Sequence, residues 1–534
     1  MRSWVEECSF CFGEIERYWR WNRSARTRKV LKDFWHEWQA KSEEEAADLS
    51  PSDQLDRALL QWKCRRSLFE LSRLDHLSAL SGEDDVIAQD IFSLEHDRWC
   101  LDRREPEDMA NQVSAINRKI KSISAEPEPP YALWAANSLK QAQEALQAWK
   151  KSTLGYNPTA QWWLETPVAE LERLLDERIK HLKEEAAGQK GESSDPLVGT
   201  PVGREAIEEE LRCEAVPRTP EGMLEIGRRQ AEWCRQQMSA CARELGHDDW
   251  RDALEAVKKD HVAPGDQERF VYDLCGEAIE WTEKLDLVSL YPLCRNMWNV
   301  EMLSEEAQRS LPFLGYGGQK VVVSYPLPGM DHETKQMSMA GNCRAFTRAV
   351  VPHELIPGHH LQLFEADRLS PYRRMFETPF HVEGWTIHWE LLQLKLGWAR
   401  TPEEKIGMLW WRLHRCNRIV VSLAFHFGEM TPDEMVEYLV EHGGQERHTA
   451  RSEVRRFIGT SYPPLYQCAY LIGGLQMHAL YRELTEDRGW TPKEAHDRIL
   501  AENGMPISCL RDRLLGLEMG ETLKGWDFEE RAVR

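Results

Sequence analysis

The chain has 534 residues, 42% of them hydrophobic, and a formal net charge of −21. That length supports roughly two to four domains with sizeable cores, and the composition excludes a disordered chain. The acidity, with no basic stripe to offset it, argues against nucleic acid and anionic membrane as partners.

The opening residues, MRSWVEECSF, carry acids and lack the basic flank and apolar core of a signal peptide. No run of about 18 apolar residues reads as a membrane span. The thirteen cysteines are scattered and odd in number. Free thiols in a reducing cytosol fit that usage, and the expected location is cytoplasmic. Cys8-x-x-Cys11 has no second pair around it and reads as two thiols on one helix face.

Residues 1–186 read as a helical region without a chemical motif, in which Ser50-Pro51 opens one helix. AGQKGESSDPLVGTPVG, 187–203, is rich in Gly, Ser, Pro and charge and reads as a linker or long surface loop. Everything that suggests chemistry lies in 204–534. Thr219-Pro220 opens a helix there, and Val271, Leu274, Ala278, Trp281 and Leu285 predict a buried stripe on a helix over 267–285. GYGGQ, 315–319, lacks the strand–loop–helix setting of a phosphate loop and reads as a turn. QKVVVSYPL, 319–327, is β-branched, ends in a proline turn and reads as a strand. Thr401-Pro-Glu-Glu, Thr431-Pro-Asp-Glu and Thr491-Pro-Lys-Glu each spell a helix start, with Thr as cap, Pro first in the helix and Glu reaching back. The fold class is mainly α, with a small sheet near the chemical motif and tryptophans filling gaps between helices.

The most informative stretch is HELIPGHHLQ, 353–362. The zinc-peptidase motif H-E-x-x-H places two histidines one helical turn apart. Here the residue four after His353 is Pro357, and the next histidines are His359 and His360. In a regular helix His353 and His359 are separated by about 600° of rotation, and His353 and His360 by about 10.5 Å along the axis. Neither pair can share an ion at bonds of about 2.0–2.1 Å. Pro357 has no N–H and clashes with the carbonyl four residues back, while Gly358 is open to unusual conformations. A two-residue bulge at Pro357-Gly358 would bring His359 into the ligand position and turn His360 elsewhere, towards substrate or a carboxylate. A third ligand is expected from FHVEGWTIHWE, 380–390, with Glu383 first and Glu365 and Glu390 as rivals. Glu354, beside the first histidine, is placed to move a proton. His381 and His388 flank Glu383 and are expected in structural or supporting roles.

HELIPGHHLQ followed by VEGW resembles the domain of unknown function 885 family of bacteria and fungi, marked by H-E-x-x-P-G-H-H and a later E-G-W. The resemblance covers about 200–530 by motif, and 201–227 resembles that family's entry segment. The family is commonly regarded as zinc metallopeptidases and resembles gluzincin-type helical oligopeptidases. The resemblance therefore implies a zincin-like multi-helix architecture, one Zn2+ on His353, His359 and Glu383, and Glu354 as general base. RIVVSLAFHFGEMTPDE, 418–434, is similar to a family helix with Arg418 and His426, although Ser422 and Ala424 replace its usual acid and glycine. RRFIGTSYPPLYQCAYLIGG, 455–474, keeps Pro464, Tyr470 and Gly473 but has Leu465-Tyr466 where Gly-Gln is usual, and His388 stands where Tyr is common.

Tyr470 is the expected oxyanion donor, with Tyr462 and Tyr466 as rivals. His426 is a further catalytic candidate, and Arg418 a substrate-binding one. The expected activity is hydrolysis of short peptides by water that zinc activates, with strand 319–327 offering an edge to an extended substrate. An amide or ester hydrolase acting on one small molecule, and a helical scaffold without catalysis, are the alternative expectations.

Overall fold

The computed structural model describes residues 1–44, 49–100, 104–191, 195–308, 311–459 and 462–533. It is mainly helical, with one three-stranded sheet among the described residues. The chain divides into two compact units, 1–50 with 56–200, and 51–55 with 201–534. No helix among the described residues is long and apolar enough to cross a membrane.

The first unit is built from long helices, including Arg2–Tyr18, Ala25–Glu43, Glu83–Trp99, Pro106–Lys121, Pro129–Thr153 and Pro158–His181. Its core joins Ile91 and Phe92, Val113 and Ile116, Leu139 and Leu146, and Leu164 and Leu171, one apolar face from each of four helices. A buried ion pair ties two of them, with Arg178 donating to both oxygens of Asp84 at 2.7 and 2.8 Å. Cys8 and Cys11 lie on the first helix as free thiols, Cys8 buried.

In the second unit the sheet comprises β1, Asn299–Met302, β2, Gly315–Tyr316, and β3, Lys320–Val323, in the order β1-β3-β2. β3 runs parallel to β1 and antiparallel to β2. Two expectations are corrected here. GYGGQ is only partly turn, because Gly315-Tyr316 pairs with Val322-Val321 and the reversal is confined to 317–319. The strand stops at Val323 and lies at the centre of the sheet, so its backbone groups are already engaged by neighbours and it offers no edge to a substrate.

The helices that shape the site are α1, Arg344–Glu354, α2, His359–Arg368, α3, Pro379–Leu396, α4, Pro402–His426, α5, Arg447–Ile458, α6, Tyr466–Arg482, and α7, Pro492–Glu502. Thr401 and Thr491 accept from the backbone N–H three residues on, as does Thr431, where Glu434 returns the bond to complete a capping box. The helix over Gln267–Leu285 buries Val271, Leu274 and Ala278, but Leu285 ends it exposed, beyond the packed stripe.

α3 and α6 meet backbone to backbone. A Cβ on Gly384 would lie 2.8 Å from the Gly473 carbonyl oxygen, and one on Gly473 would lie 2.2 Å from the Phe380 oxygen. The glycines allow this approach, which sets Glu383 of α3 against Tyr466 and Tyr470, on the same face of α6 as Gly473. Trp385, Trp389 and Phe380 of α3 are fully buried around it.

Gly473→Ala is expected to destabilise the protein by about 1–3 kcal/mol or more, since backbone cannot yield as a side chain can. Gly276→Ala, in a helix where the added Cβ meets nothing within 4 Å, is expected to stabilise by up to about 1 kcal/mol. Urea unfolding of the two variants gives the opposed shifts in midpoint.

Candidate metal centre

The chain between the histidines is not a bulged helix. α1 ends at Glu354 and α2 begins at His359, so four residues, 355–358, separate two helices. Pro357 cannot donate to the ladder, which agrees with the expected site of distortion. The completeness of the break follows from how closely Gly358 folds back. A Cβ there would lie 1.8 Å from the His353 carbonyl oxygen, so only glycine fits. The Trp385 indole N–H donates to the Pro357 carbonyl at 2.8 Å and fastens the break to α3. The three residues of Glu383-Gly384-Trp385 thus have separate tasks: a carboxylate for the site, a close approach to α6, and a tie to the broken helix.

The break brings the two imidazoles together, with ring centroids 5.0 Å apart and planes at 89°. Glu383 Oε2 lies 3.7 Å from His353 Nε2 and 3.5 Å from His359 Nε2. Ligand atoms around a tetrahedral zinc, with bonds of about 2.0–2.1 Å, are separated by about 3.3 Å. The observed spacings are close to that edge, and two imidazoles with a carboxylate are a donor set that zinc accepts. Glu383 Oε2 is buried and, among the described residues, receives no hydrogen bond. Glu354 also reaches the cluster, 3.9 Å from His353 Nε2, and together with His353 and His359 it offers donor atoms all within 4.8 Å of one another. Of the two carboxylates, Glu383 has one oxygen within 3.7 Å of both imidazoles.

The surroundings orient these groups. His353 Nδ1 bonds Glu390 Oε1 at 2.7 Å, and Arg415 donates to the same oxygen at 2.8 Å. With Nδ1–H given to Glu390, the Nε2 lone pair of His353 faces the cluster. Tyr466 donates to Glu383 Oε1 at 3.2 Å.

Burial opposes charge on Glu383, yet His359, His353 and the Tyr470 hydroxyl outweigh it and hold the carboxyl at about 2. Burial dominates at Glu354, with the Glu383 charge adding to it, and pushes that carboxyl up to about 7. Burial also raises Glu390 to about 7 against the pull of Arg415. His353 is held well below its ordinary value by burial and the neighbouring His359. At His359 burial opposes charge, but Glu383 and Glu354 prevail and raise it. Two carboxyls pushed apart in this way suit different tasks, one a fixed anion and the other a proton carrier.

The cluster opens on a cavity of 360 Å³. His353, Glu354, His359, Glu383, Arg418, Tyr462, Tyr466 and Tyr470 all line it. Five candidates lie elsewhere. His360, turned about 100° from His359, bonds the Cys294 carbonyl at 2.9 Å and the Tyr316 hydroxyl at 3.2 Å. His426 is eight residues beyond Arg418, about 12 Å further along α4, and is not among the residues that line the cavity. His388 points away from Glu383 into a buried chain, 3.0 Å from His478 and 2.8 Å from His496 of α7. Glu365 is bonded by Arg368. His381 packs against Gln362 without reaching the cavity.

Sequence reasoning missed Tyr316, Arg415, Glu453 and Arg456, which also line the cavity. Arg415 stands three residues before Arg418 on α4 and was legible only as a neighbour. The others carry no spacing signal.

In the metal-free protein, Glu354 binds its proton more tightly folded than unfolded, where a glutamate titrates near 4.5. The folded state therefore holds more protons between that value and about 7, and the contribution of Glu354 to stability falls as pH rises through this window. The stability of the metal-free wild type relative to Glu354→Gln is expected to fall on the order of 3 kcal/mol from pH 4.5 to 8. Paired urea titrations across that range measure it.

The fold has counterparts among solved structures. A candidate lipoprotein of unknown function from Shewanella oneidensis superposes with a TM-score of 0.71 at 17% identity, covering 96% of this chain and 99% of that one. A candidate lipoprotein from Colwellia psychrerythraea gives 0.60 at 15% identity, over 92% and 91%. These likenesses are of fold alone. A comparison with the curated proteins finds no match. The match to the family described as bacterial protein of unknown function, DUF885, spans residues 19–514, and the chain belongs to that family.

Proposed function

We propose that the chain is a zinc-dependent hydrolase of short peptides, with His353, His359 and Glu383 as metal ligands and Glu354 as general base. The observation that carries this reading is the convergence of three donor atoms, from three helices, with Glu383 Oε2 at 3.5 and 3.7 Å from the two imidazole nitrogens, on one wall of a cavity. The donor set is of the gluzincin kind, two histidines and a glutamate from a later helix. A zinc ion there would act as a Lewis acid, lowering the pKa of water and polarising an amide carbonyl.

The protein's own groups supply the rest. Glu354, buried beside the ligands, can take a proton from attacking water and return it to the leaving amine. Its position next to His353 supports that role, since a purely structural site has no use for a second carboxylate. Glu390, itself held by Arg415, keeps the His353 ring in one orientation. Tyr470 and Tyr466 sit on the cavity wall, where a hydroxyl can donate to an oxygen that gains negative charge.

Elemental analysis of purified protein is expected to find one zinc per chain in the wild type and in His360→Ala, and little in His353→Ala, His359→Ala or Glu383→Ala. Retention of metal by His359→Ala would remove this ligand set. Glu390→Gln is expected to lower zinc affinity about 10- to 100-fold.

Glu354→Gln is expected to keep its zinc and lose peptide hydrolysis by at least about 10²–10⁴-fold. A fluorogenic peptide library, assayed at matched metal content, reads this. Unchanged turnover in the variant would exclude Glu354 as base.

A further inference from the structure

One wall of the cavity carries a charge arrangement that the metal centre does not use. Arg418 of α4 and Arg456 of α5 both line the cavity, and both lean on one carboxylate, Glu453. Arg418 Nη2 is 2.7 Å from Glu453 Oε2, and Arg456 Nη2 is 3.3 Å from Oε1. His414 also bonds Glu453, at 3.0 Å, but burial and the adjacent Arg418 push that imidazole down to about 4, so it adds no charge at neutral pH. Two permanent cations therefore share one anion at this wall.

The third guanidinium of the cavity, Arg415, differs, because Glu390 answers its charge. Among the described residues, Arg456 makes its side-chain hydrogen bond through Nη2, to Glu453. A guanidinium offers five N–H donors in a plane, so donors remain at this wall for a second carboxylate. Arg418 also lies over the Tyr470 ring, 4.6 Å from its centre. That stacking fixes its plane and places it one ring away from the residues that contact Glu383. Leu311, Phe313, Val350 and Leu363 make other parts of the lining apolar. The cavity volume, 360 Å³, is near the lower end for small-molecule sites of about 300–1,000 Å³, which suits a compact substrate and not a folded chain.

We infer that Arg456 and Arg418 form a receptor for a free carboxylate, so that the substrate is an amide ending in a carboxylate: the C-terminal end of a short peptide or an N-acylated amino acid. The inference rests on the hydrolase reading above for what happens to the amide, but the receptor is made by arginines and not by metal. The planar fork of a guanidinium matches a carboxylate with two parallel hydrogen bonds, which an amide terminus cannot accept. The apolar lining takes the side chain beside that carboxylate.

Calorimetry on the Glu354→Gln protein, with and without zinc, tests this. The probes are N-acetyl-Ala-Phe, its C-terminal carboxamide and N-acetyl-Phe. The acid is expected to bind at least tenfold more tightly than the carboxamide, and the ratio is expected to persist without zinc. Arg456→Gln is expected to bring the ratio close to one, and Arg456→Lys to restore part of it. Tighter binding of the dipeptide than of N-acetyl-Phe assigns a peptide end, and equal binding assigns an acylated amino acid; either supports the receptor. Equal affinity for acid and carboxamide overturns it, as does binding of neither, or a preference that vanishes when zinc is removed. If Arg456→Gln fails to fold, the acid-to-carboxamide ratio with and without zinc decides alone. Hydrolysis of N-acetyl-Ala-Phe by Glu354→Gln would sink the assigned base and leave the ratio as the separate measure of the receptor.

Discussion

No single α-helix can place His353 and His359 on one ion, so the chain must end one helix and begin another between them. Everything at the site follows from that constraint. Pro357 removes a ladder donor, Gly358 folds onto the His353 carbonyl where no side chain would fit, and the Trp385 indole pins the result to α3. α3 can bring both Glu383 and the indole to the same place because Gly384 and Gly473 let it press on α6. The donor geometry is thus a packing result, produced by three close contacts.

The charges are arranged around the same point. A cluster of two imidazoles and several carboxyls with little solvent would be unstable if all were ionised. The structure separates them: Glu383 stays an anion through its imidazole and tyrosine contacts, burial favours the protonated form of Glu354, and Arg415 offsets part of the burial at Glu390. On the opposite accounting, the arginines of α4 and α5 bring positive charge into the cavity with only Glu453 between two of them. The site therefore presents a donor cluster and a cationic wall within one small cavity.

Much of this was legible in the sequence because it depended on local chemistry. The Thr-Pro helix starts, the helix over 267–285 and the distortion at Pro357-Gly358 come from caps, periodicity and the missing proline N–H, all properties of neighbours in the chain. Glu383 is legible from its spacing after the histidines and from the antiparallel return expected of the next helix. What was not legible depended on approach between distant segments. Glu453 and Arg456 reach the cavity through the docking of α5, which no periodicity encodes. His388 was expected in a structural or supporting role, but its partners were not legible: a rotation of about 500° along the helix from Glu383 carries it into the chain with His478 and His496. The strand at 319–327 had the right composition, but its place at the centre of the sheet is set by β1, about twenty residues earlier.

The separation of the proposed ligands onto α1, α2 and α3 also bears on the order of events in folding. In small zinc modules, a metal gathers ligands from a few neighbouring residues and organises the chain around itself. Here the third donor waits on a helix that must first dock against α6, whose residues arrive some ninety positions later. An incomplete chain would hold two of the three donors with nothing to complete them. On the proposed ligand set, an ion would therefore belong to the last stage of assembly: it would enter a protein whose architecture already exists, with packing between α3 and α6 doing the gathering that metal does elsewhere.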